Sequence, residues 1–131
     1  MPPLDILETC LYVNDLAAAE RFYSQVLRLT VHSRQEERHV FLRCGRGMLL
    51  LFKPDQSVLP GDVPSHGAYG PGHVAFAANE AELPAWRKHL EGHGVSVERV
   101  VAWPGGGQSL YFRDPAGNSL ELAAPTIWRK E

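Results

Sequence analysis

The chain has 131 residues, of which 44% are hydrophobic and 21% are charged, with a formal net charge of -2. This length fits a single domain, because separate domains usually need about 100 residues each. The charge balance gives no reason to expect a nucleic-acid partner. The longest apolar run, Met48 to Phe52, is far shorter than the roughly 20 residues of a membrane helix, and the N-terminal segment lacks signal-peptide features. We expect a cytoplasmic globular protein that binds neither nucleic acid nor membrane.

The first half of the chain is predicted to form a strand, a helix and three further strands. Alternating apolar residues predict a strand over Ile6 to Val13, and Asn14 and Asp15 then supply helix-capping side chains. One helical face is apolar and consists of Leu16, Ala19, Tyr23, Val26 and Leu27. The remaining predicted strands are Leu29 to Arg34 and a hairpin of His39 to Cys44 with Met48 to Phe52.

The second half repeats this plan after residues 53–72, whose high proline and glycine content is typical of a linker. The elements predicted beyond it are a strand over His73 to Ala78, a capping box from Asn79 to Glu82, a helix with Leu83, Trp86 and Leu90 on one face, strands over Val95 to Val101 and Ser109 to Arg113, a turn over Asp114 to Asn118, and a strand over Ser119 to Ala123. Glu8 and His73 are 65 positions apart, as are Asn14 and Asn79, so the two strand-to-helix junctions align without a gap.

The two hairpins also align, with Arg43 matching Arg113 and Leu50 matching Glu121. We therefore predict an α+β fold of two tandem β-α-β-β-β modules in a single domain, over about 4–54 and 72–125, with a linker over about 55–71. Each module buries only one face of its sheet, so the two modules are expected to form a curved mixed sheet around a concave cleft.

Three polar residues, Glu8, His73 and Glu121, are predicted to share the sheet face that points away from the helices, because side chains alternate along a strand. Carboxylates and imidazoles are metal ligands, and two cysteines are too few for a cysteine-based site. Each residue also has a plain structural alternative. Glu8 fits a solvated strand end, His73 a loop-end histidine bonded to backbone, and Glu121 an outward-facing residue of an amphipathic strand.

Three segments, LETCLYVNDLAAAERFYSQVL, GHVAFAANEAELPAWRKHLEGHGV and LYFRDPAGNSLELAAP, resemble signature stretches of the vicinal oxygen chelate superfamily. This superfamily includes glyoxalases, bleomycin-resistance proteins, fosfomycin-resistance enzymes and extradiol dioxygenases. Its metal ligands come from the first and last strands of each module. The corresponding positions in this chain are Glu8, Leu50, His73 and Glu121. Leu50 cannot bind a metal. The resemblance therefore implies an open site of Glu8, His73 and Glu121, with Glu8 where fosfomycin-resistance enzymes have a histidine.

The resemblance implies an enzyme that uses one divalent ion (Mn, Fe, Zn, Ni or Co) and binds a small oxygen-chelating substrate. The expected chemistry is glyoxalase-like isomerisation or lyase chemistry, or thiol addition, with Glu121 also acting as a general base. One alternative is a metal-free protein of the bleomycin-resistance type that sequesters a drug or metabolite between aromatic walls. Another is an extradiol-type dioxygenase. Superfamily members often pair, so a homodimer is expected, with module exchange placing Glu8 of one chain beside His73 and Glu121 of the other.

Five residues are candidate substrate contacts, namely Cys10, Tyr12, Trp103, Tyr111 and Arg113. Tyr111 resembles a substrate-contacting tyrosine of the fosfomycin-resistance enzymes, but equally fits an aromatic support of the sheet. For Cys10 the favoured interpretation is a buried, inert thiol. Trp103 opens a WPGGG segment that fits either a lid or a turn with an aromatic plug. Arg113 fits either an anion contact or a cover for the sheet edge.

Overall fold

The computed structural model describes residues 1–129 and contains two compact units, Met1–Gly72 and a second that begins at His73. Each unit contains one four-stranded mixed sheet, and the strand order is β1-β4-β3-β2 in the first and β5-β8-β7-β6 in the second. The predicted α+β class and the internal repeat are confirmed. None of the helices within residues 1–129 has the length and apolar character of a membrane span.

The first unit contains β1 (Glu8–Tyr12), α1 (Leu16–Arg21) with a π-helical extension (Phe22–Val26), β2 (Thr30–Gln35), β3 (His39–Cys44), β4 (Gly47–Phe52) and a short α2 (Pro54–Ser57). The predicted cap is present, since Asp15 Oδ1 accepts a hydrogen bond from Ala18 N at 3.0 Å. The helix α2 was not predicted, because prolines and glycines dominate that segment. Its first residue is Pro54, whose missing N–H costs nothing at a helix start.

Alternate residues of the first sheet form the core of the unit, as the period-2 pattern predicts. The most buried side chains include Leu11, Val13, Ala19, Tyr23, Val40, Leu42, Leu49 and Leu51. Four of the five residues of the predicted helical face are buried, and Leu16 is partly buried. Because Leu11 points into this core, Glu8, Cys10 and Tyr12 lie on the opposite face of β1.

The second unit contains β5 (His73–Ala77), a 3₁₀ turn (Glu80–Glu82), α3 (Leu83–Gly92), β6 (Arg99–Ala102), β7 (Gln108–Arg113), β8 (Ser119–Ala123) and a 3₁₀ turn (Pro125–Trp128). The strand β5 pairs in parallel with β8, as β1 does with β4. His73 thereby occupies the place of Glu8, and Glu121 the place of Leu50. The alignment of the two modules by subtraction is confirmed.

Two local predictions in the second unit are wrong. The strand expected from Val95 begins only at Arg99, because Val95 N bonds back to Leu90 O at 2.9 Å and closes the end of α3, with Gly94 at φ +75°. The expected capping box is absent as well. Asn79 Nδ2 donates to the carboxylate of Glu82 at 2.6 Å, so the Asn79 side chain does not cap the backbone.

The turn between β7 and β8 is held by one buried carboxylate. Asp114 Oδ1 accepts from the backbone N–H groups of Ala116 and Asn118, and Oδ2 accepts from Asn118 Nδ2, at 2.9–3.0 Å. We expect Asp114→Ala to lower the free energy of unfolding by about 3 kcal/mol, because buried groups lose charge-assisted hydrogen bonds. Urea denaturation measures this change. The control is Asp62→Ala at an exposed position, which should change the free energy of unfolding by less than about 0.5 kcal/mol. If both variants lost the same stability, the hydrogen bonds of Asp114 would not be what holds the turn.

Candidate metal centre

His73 is the first residue of β5, and a backbone carbonyl group holds one of its ring nitrogens. Its Nδ1 lies 2.9 Å from the backbone carbonyl oxygen of Ser119, the residue paired with it in β8. A carbonyl oxygen only accepts, so Nδ1 carries the hydrogen and the neutral ring has its lone pair on Nε2. An imidazole oriented in this way through its second nitrogen is typical of metal-binding histidines. The backbone bond expected of the structural alternative therefore also prepares the ring as a ligand.

Glu121 lies opposite His73 Nε2. Its Oε1 lies 3.3 Å from His73 Nε2, and only 5% of the residue is exposed. The alternative that Glu121 is an outward-facing residue of an amphipathic strand is thereby excluded for this unit. A buried carboxylate needs partners, because removal from water disfavours its charged form.

A directed chain of hydrogen bonds holds the other oxygen of Glu121. Trp103 Nε1 lies 2.9 Å from Ser109 Oγ, and Ser109 Oγ lies 2.5 Å from Glu121 Oε2. The indole nitrogen can only donate, so the Ser109 hydroxyl accepts from it and gives its own proton to the carboxylate. The chain fixes Glu121 with Oε1 turned toward His73 and Oε2 toward Ser109.

Tyr111 stands beside these two groups on β7. It pairs with Glu121 in the strand register, and its ring stacks near His73 with centroids 6.4 Å apart. Burial, and next the negative charge of Glu121, raise the pKa of Tyr111 above its ordinary value. The phenol is therefore protonated at neutral pH and able to donate a hydrogen bond.

The donor set of His73 and Glu121 fits a divalent ion. With neutral His73, two lone pairs face each other across 3.3 Å, an arrangement that needs a proton or a cation between them. Two ligands about 2.1 Å from a tetrahedral ion lie about 3.4 Å apart. Within residues 1–129, no group of three or more His, Cys, Asp or Glu side chains could hold a metal. We name this pair of atoms, His73 Nε2 and Glu121 Oε1, the half-site.

Glu8, the third predicted ligand, lies in the first unit at the start of β1 and is exposed. Its neighbour Cys10 is also exposed, so the prediction of a buried thiol is wrong. The reason is that Cys10 lies on the face of β1 opposite the buried Leu11, and β1 is the edge strand of its sheet. Desolvation and the charge of Glu8 raise the pKa of the Cys10 thiol, which keeps it protonated at neutral pH.

The remaining candidates have clear surroundings. Arg113 binds Glu98 through two contacts of 3.0 and 3.2 Å and also donates to the carbonyl of Gly117. These contacts occupy its guanidinium at the sheet edge, so a substrate contact by Arg113 stays a prediction. Tyr12 is half-buried, and its hydroxyl lies 2.7 Å from His66 Nδ1. Trp103 is 38% exposed, which leaves part of its ring accessible while its N–H is held by Ser109.

The residue missed as a site component is Ser109, which is fully buried and joins Trp103 to Glu121. The sequence contained a signal for it, because Ser109 shares the parity of the candidate residue Tyr111 in the same strand. A serine in a strand is common, however, and its partner Glu121 lies twelve positions away.

Comparison with known proteins identifies a family that matches most of the chain. Residues 5–122 match the profile described as "Glyoxalase/Bleomycin resistance protein/Dioxygenase superfamily". The chain is 28% identical to metallothiol transferase FosB of Bacillus licheniformis, over 88% of this chain and 72% of that one. It is 31% identical to glutathione transferase FosA of Serratia marcescens, over 86% and 74% of the two chains. The crystal structure of lactoylglutathione lyase from Agrobacterium tumefaciens is similar with a TM-score of 0.95 and 42% identity, over 99% of this chain and 100% of that chain.

Proposed function

Because the chain belongs to the glyoxalase/bleomycin resistance protein/dioxygenase superfamily, we propose that it is a divalent-metal-dependent enzyme acting on a small substrate with two neighbouring oxygen atoms. The observation that carries this proposal is the 3.3 Å approach of His73 Nε2 and Glu121 Oε1. The tautomer of His73 and the hydrogen bond from Ser109 hold these two atoms in place without any ligand.

Three residues hold the ion in this proposal: Glu8, His73 and Glu121. When bound, the ion polarises the substrate oxygens and makes a neighbouring C–H or O–H more acidic. Glu121 would take that proton on Oε1 when this oxygen is not bound to the ion, while Ser109 keeps Oε2 fixed. Tyr111 donates a hydrogen bond to the substrate, and its raised pKa keeps it in the donating form. Two carboxylates and one imidazole balance the charge of a divalent ion, which favours neutral chelating groups at the reacting end.

The reaction class follows from what the relatives' names share, which is a thiol. One is a metallothiol transferase, one a glutathione transferase and one a lactoylglutathione lyase. We therefore propose that this chain adds a thiol to an electrophilic substrate or cleaves the resulting adduct. Incubation of the Mn²⁺-loaded protein with lactoylglutathione, and separately with glutathione and an epoxide or 2-oxoaldehyde, tests both directions. Absence of turnover in every combination would refute the thiol assignment and leave the metal site standing.

Addition of Mn²⁺, Ni²⁺ or Zn²⁺ to chelator-treated protein is expected to raise its melting temperature. A ligand at 100 times its Kd stabilises the native state by about 2.7 kcal/mol, which for a chain of this size is a shift of more than about 5 °C. Differential scanning fluorimetry measures the shift, and Ca²⁺ serves as a control ion because it prefers six to eight oxygen ligands. No shift with any of the transition ions, together with no metal in protein purified without chelators, would refute the enzyme proposal.

We further propose a homodimer in which Glu8 of one chain completes the half-site of the other. The support is that His73 and Glu121 lie in one unit and Glu8 in the other, and that the apolar residues Leu4, Ile6 and Leu7 before β1 are exposed. Mixed dimers of Glu8→Gln and Glu121→Gln protomers test this arrangement. Random exchange of equal amounts should restore about a quarter of the metal sites, since half of the dimers are then mixed and one of the two sites in each mixed dimer has both carboxylates. No recovery would contradict sharing, and a monomer in sedimentation would contradict the dimer.

The second candidate is a metal-free binding protein. The observation in its favour is the exposure of large aromatic side chains, with Trp128 85% and Trp103 38% exposed. A metal-free binding protein does not require His73 and Glu121 to be oriented as metal ligands. In that case Glu121→Gln would leave the ligand affinity unchanged. The metal titration above separates the two candidates directly.

A further inference from the structure

A second cluster of side chains with no role in the proposed chemistry lies on the first unit's sheet. Val40 and Leu42 of β3 and Leu49 and Leu51 of β4 point into the core of the unit, so the residues that alternate with them, including the buried Leu50 and Phe52, lie on the other face. That face carries aromatic rings. We name the set of Arg38, His39, Phe41 and Phe52 the aromatic platform.

The rings of the platform are closely packed. His39 and Phe41 stack with their centroids 3.9 Å apart and an interplanar angle of 8°. Phe52, which is only 4% exposed, meets both rings edge-on, at 66° and 67°. His39 and Phe41 are half-buried, so part of each stacked ring is accessible. A buried ring beneath two accessible ones gives a rigid surface suited to a flat ligand.

Arg38 gives the platform one positive charge. Its guanidinium carbon lies 5.2 Å from the centre of the Phe52 ring, and its Nη1 donates to His39 Nδ1 at 2.7 Å. Arginine has no acceptor, so His39 Nδ1 is unprotonated. Burial and the charge of Arg38 lower the pKa of His39, which keeps its ring neutral. Arg38 is half-buried, whereas the other five arginines of this unit are exposed, and it forms no ion pair within residues 1–129.

The internal repeat indicates that these rings are not needed to form the sheet. By position, His39 matches Ser109, Phe41 matches Tyr111 and Leu50 matches Glu121. The second sheet has the same strand order with polar residues at these places. The duplicated scaffold therefore folds with either set. The second sheet has polar side chains at these places and the first sheet has an aromatic surface. This difference indicates two kinds of ligand contact.

A groove adjoins the platform at Arg38. It measures about 420 Å³ and is lined by Gln35, Arg38, Gln56 and residues 59–63. This volume lies within the range of small-molecule sites, so the groove has room for the polar group of a ligand whose ring lies on the platform. The groove also contains Asp62, which forms no ion pair with Arg38 among the residues that the structure describes. The unneutralised guanidinium thus marks the end of the platform where an anion would bind.

We propose that the aromatic platform binds a flat aromatic ring carrying a carboxylate or a similar anion, with the ring against His39 and Phe41 and the anion at Arg38. This binding requires no metal.

Isothermal titration of chelator-treated, full-length protein with three probes tests the proposal. Benzoate has the ring and the charge, cyclohexanecarboxylate lacks the flat ring, and benzyl alcohol lacks the charge. Benzoate is expected to bind with a Kd on the order of 1 mM, a reasonable affinity for nine heavy atoms, and the other two at least about fivefold more weakly. Phe41→Leu should weaken benzoate about fivefold, and Arg38→Gln should do the same without affecting benzyl alcohol.

Matched controls locate the site. Arg46→Gln and Tyr69→Leu remove an exposed arginine and an exposed ring of the same unit and should leave benzoate affinity unchanged. Arg38→Lys keeps the charge and should retain most of the affinity if Arg38→Gln disturbs only the anion. Equal binding of all three probes, or benzoate affinity unaffected by both platform variants, would overturn the proposal. Because metal is absent from these titrations, a failed metal titration refutes the proposed function and leaves the platform intact, and the converse also holds.

Discussion

Replacement of Glu121 by glutamine is expected to lower the affinity for Mn²⁺ by a factor on the order of 100 or more. Glutamine keeps the volume and still accepts the hydrogen bond from Ser109, so the fold is preserved. What disappears is the negative charge that faces His73 Nε2 across 3.3 Å. Substitution of groups that only orient a metal ligand already lowers the metal affinity about 10- to 100-fold. Loss of the charge of the ligand itself should lower it at least as much. Electron paramagnetic resonance of free Mn²⁺ measures the affinity.

The matched control is Glu98→Gln, which removes an exposed carboxylate that pairs with Arg113 in the same unit. It should leave Mn²⁺ binding unchanged. If Glu121→Gln binds Mn²⁺ as tightly as the unaltered chain, the carboxylate is not a ligand. If it binds Mn²⁺ tightly but loses turnover, Glu121 acts as the base alone.

Replacement of Ser109 by alanine is expected to destabilise the protein by about 2 kcal/mol and to weaken Mn²⁺ binding about tenfold. The substitution leaves Glu121 Oε2 buried without its donor, and an unsatisfied charged group costs more than a neutral one. It also frees the indole N–H of Trp103, so tryptophan fluorescence should change. Weaker metal binding is expected because the orientation of Glu121 is no longer fixed.

Ser57 provides a sharp control, because it is as buried as Ser109 but its Oγ has no hydrogen-bond partner within residues 1–129. Ser57→Ala removes a hydroxyl that is already unsatisfied, so stability should stay within about 0.5 kcal/mol or rise. Urea denaturation of Ser109→Ala and Ser57→Ala measures the two changes in the free energy of unfolding. Equal losses of stability would show that the chain from Trp103 to Glu121 contributes nothing beyond the packing of a small side chain.

The repeated fold could be predicted because each element follows from local patterns that agree with one another. The alternation in β1 and the apolar face of α1 use different periods, yet both direct their apolar residues to one core. The shared parity of His73 and Glu121 followed from the same alternation. Their contact at 3.3 Å depends on the parallel pairing of β5 with β8, which the sequence patterns did not predict.

Other features depend on contacts that no local pattern encodes. Ser109 becomes part of the site only because β7 lies beside β8 and Trp103 folds back over it. The exposure of Cys10 depends on β1 being an edge strand, whereas a cysteine in an apolar strand is usually buried. The late start of β6 depends on how α3 ends. Gly94 adopts a positive φ, which lets the backbone N–H of Val95 donate to the carbonyl of Leu90 in the last turn.

The equivalence of Leu50 and Glu121 has an evolutionary consequence. One copy of the duplicated unit already demonstrates that its backbone accepts leucine where the other buries a carboxylate. Replacing a buried ionic group by a hydrophobic residue is often neutral or stabilising, so a lineage can lose the chemistry here without losing the fold. Membership of this superfamily therefore does not by itself establish catalysis, and under the proposed function the presence of Glu121 together with Ser109 is the better marker of it.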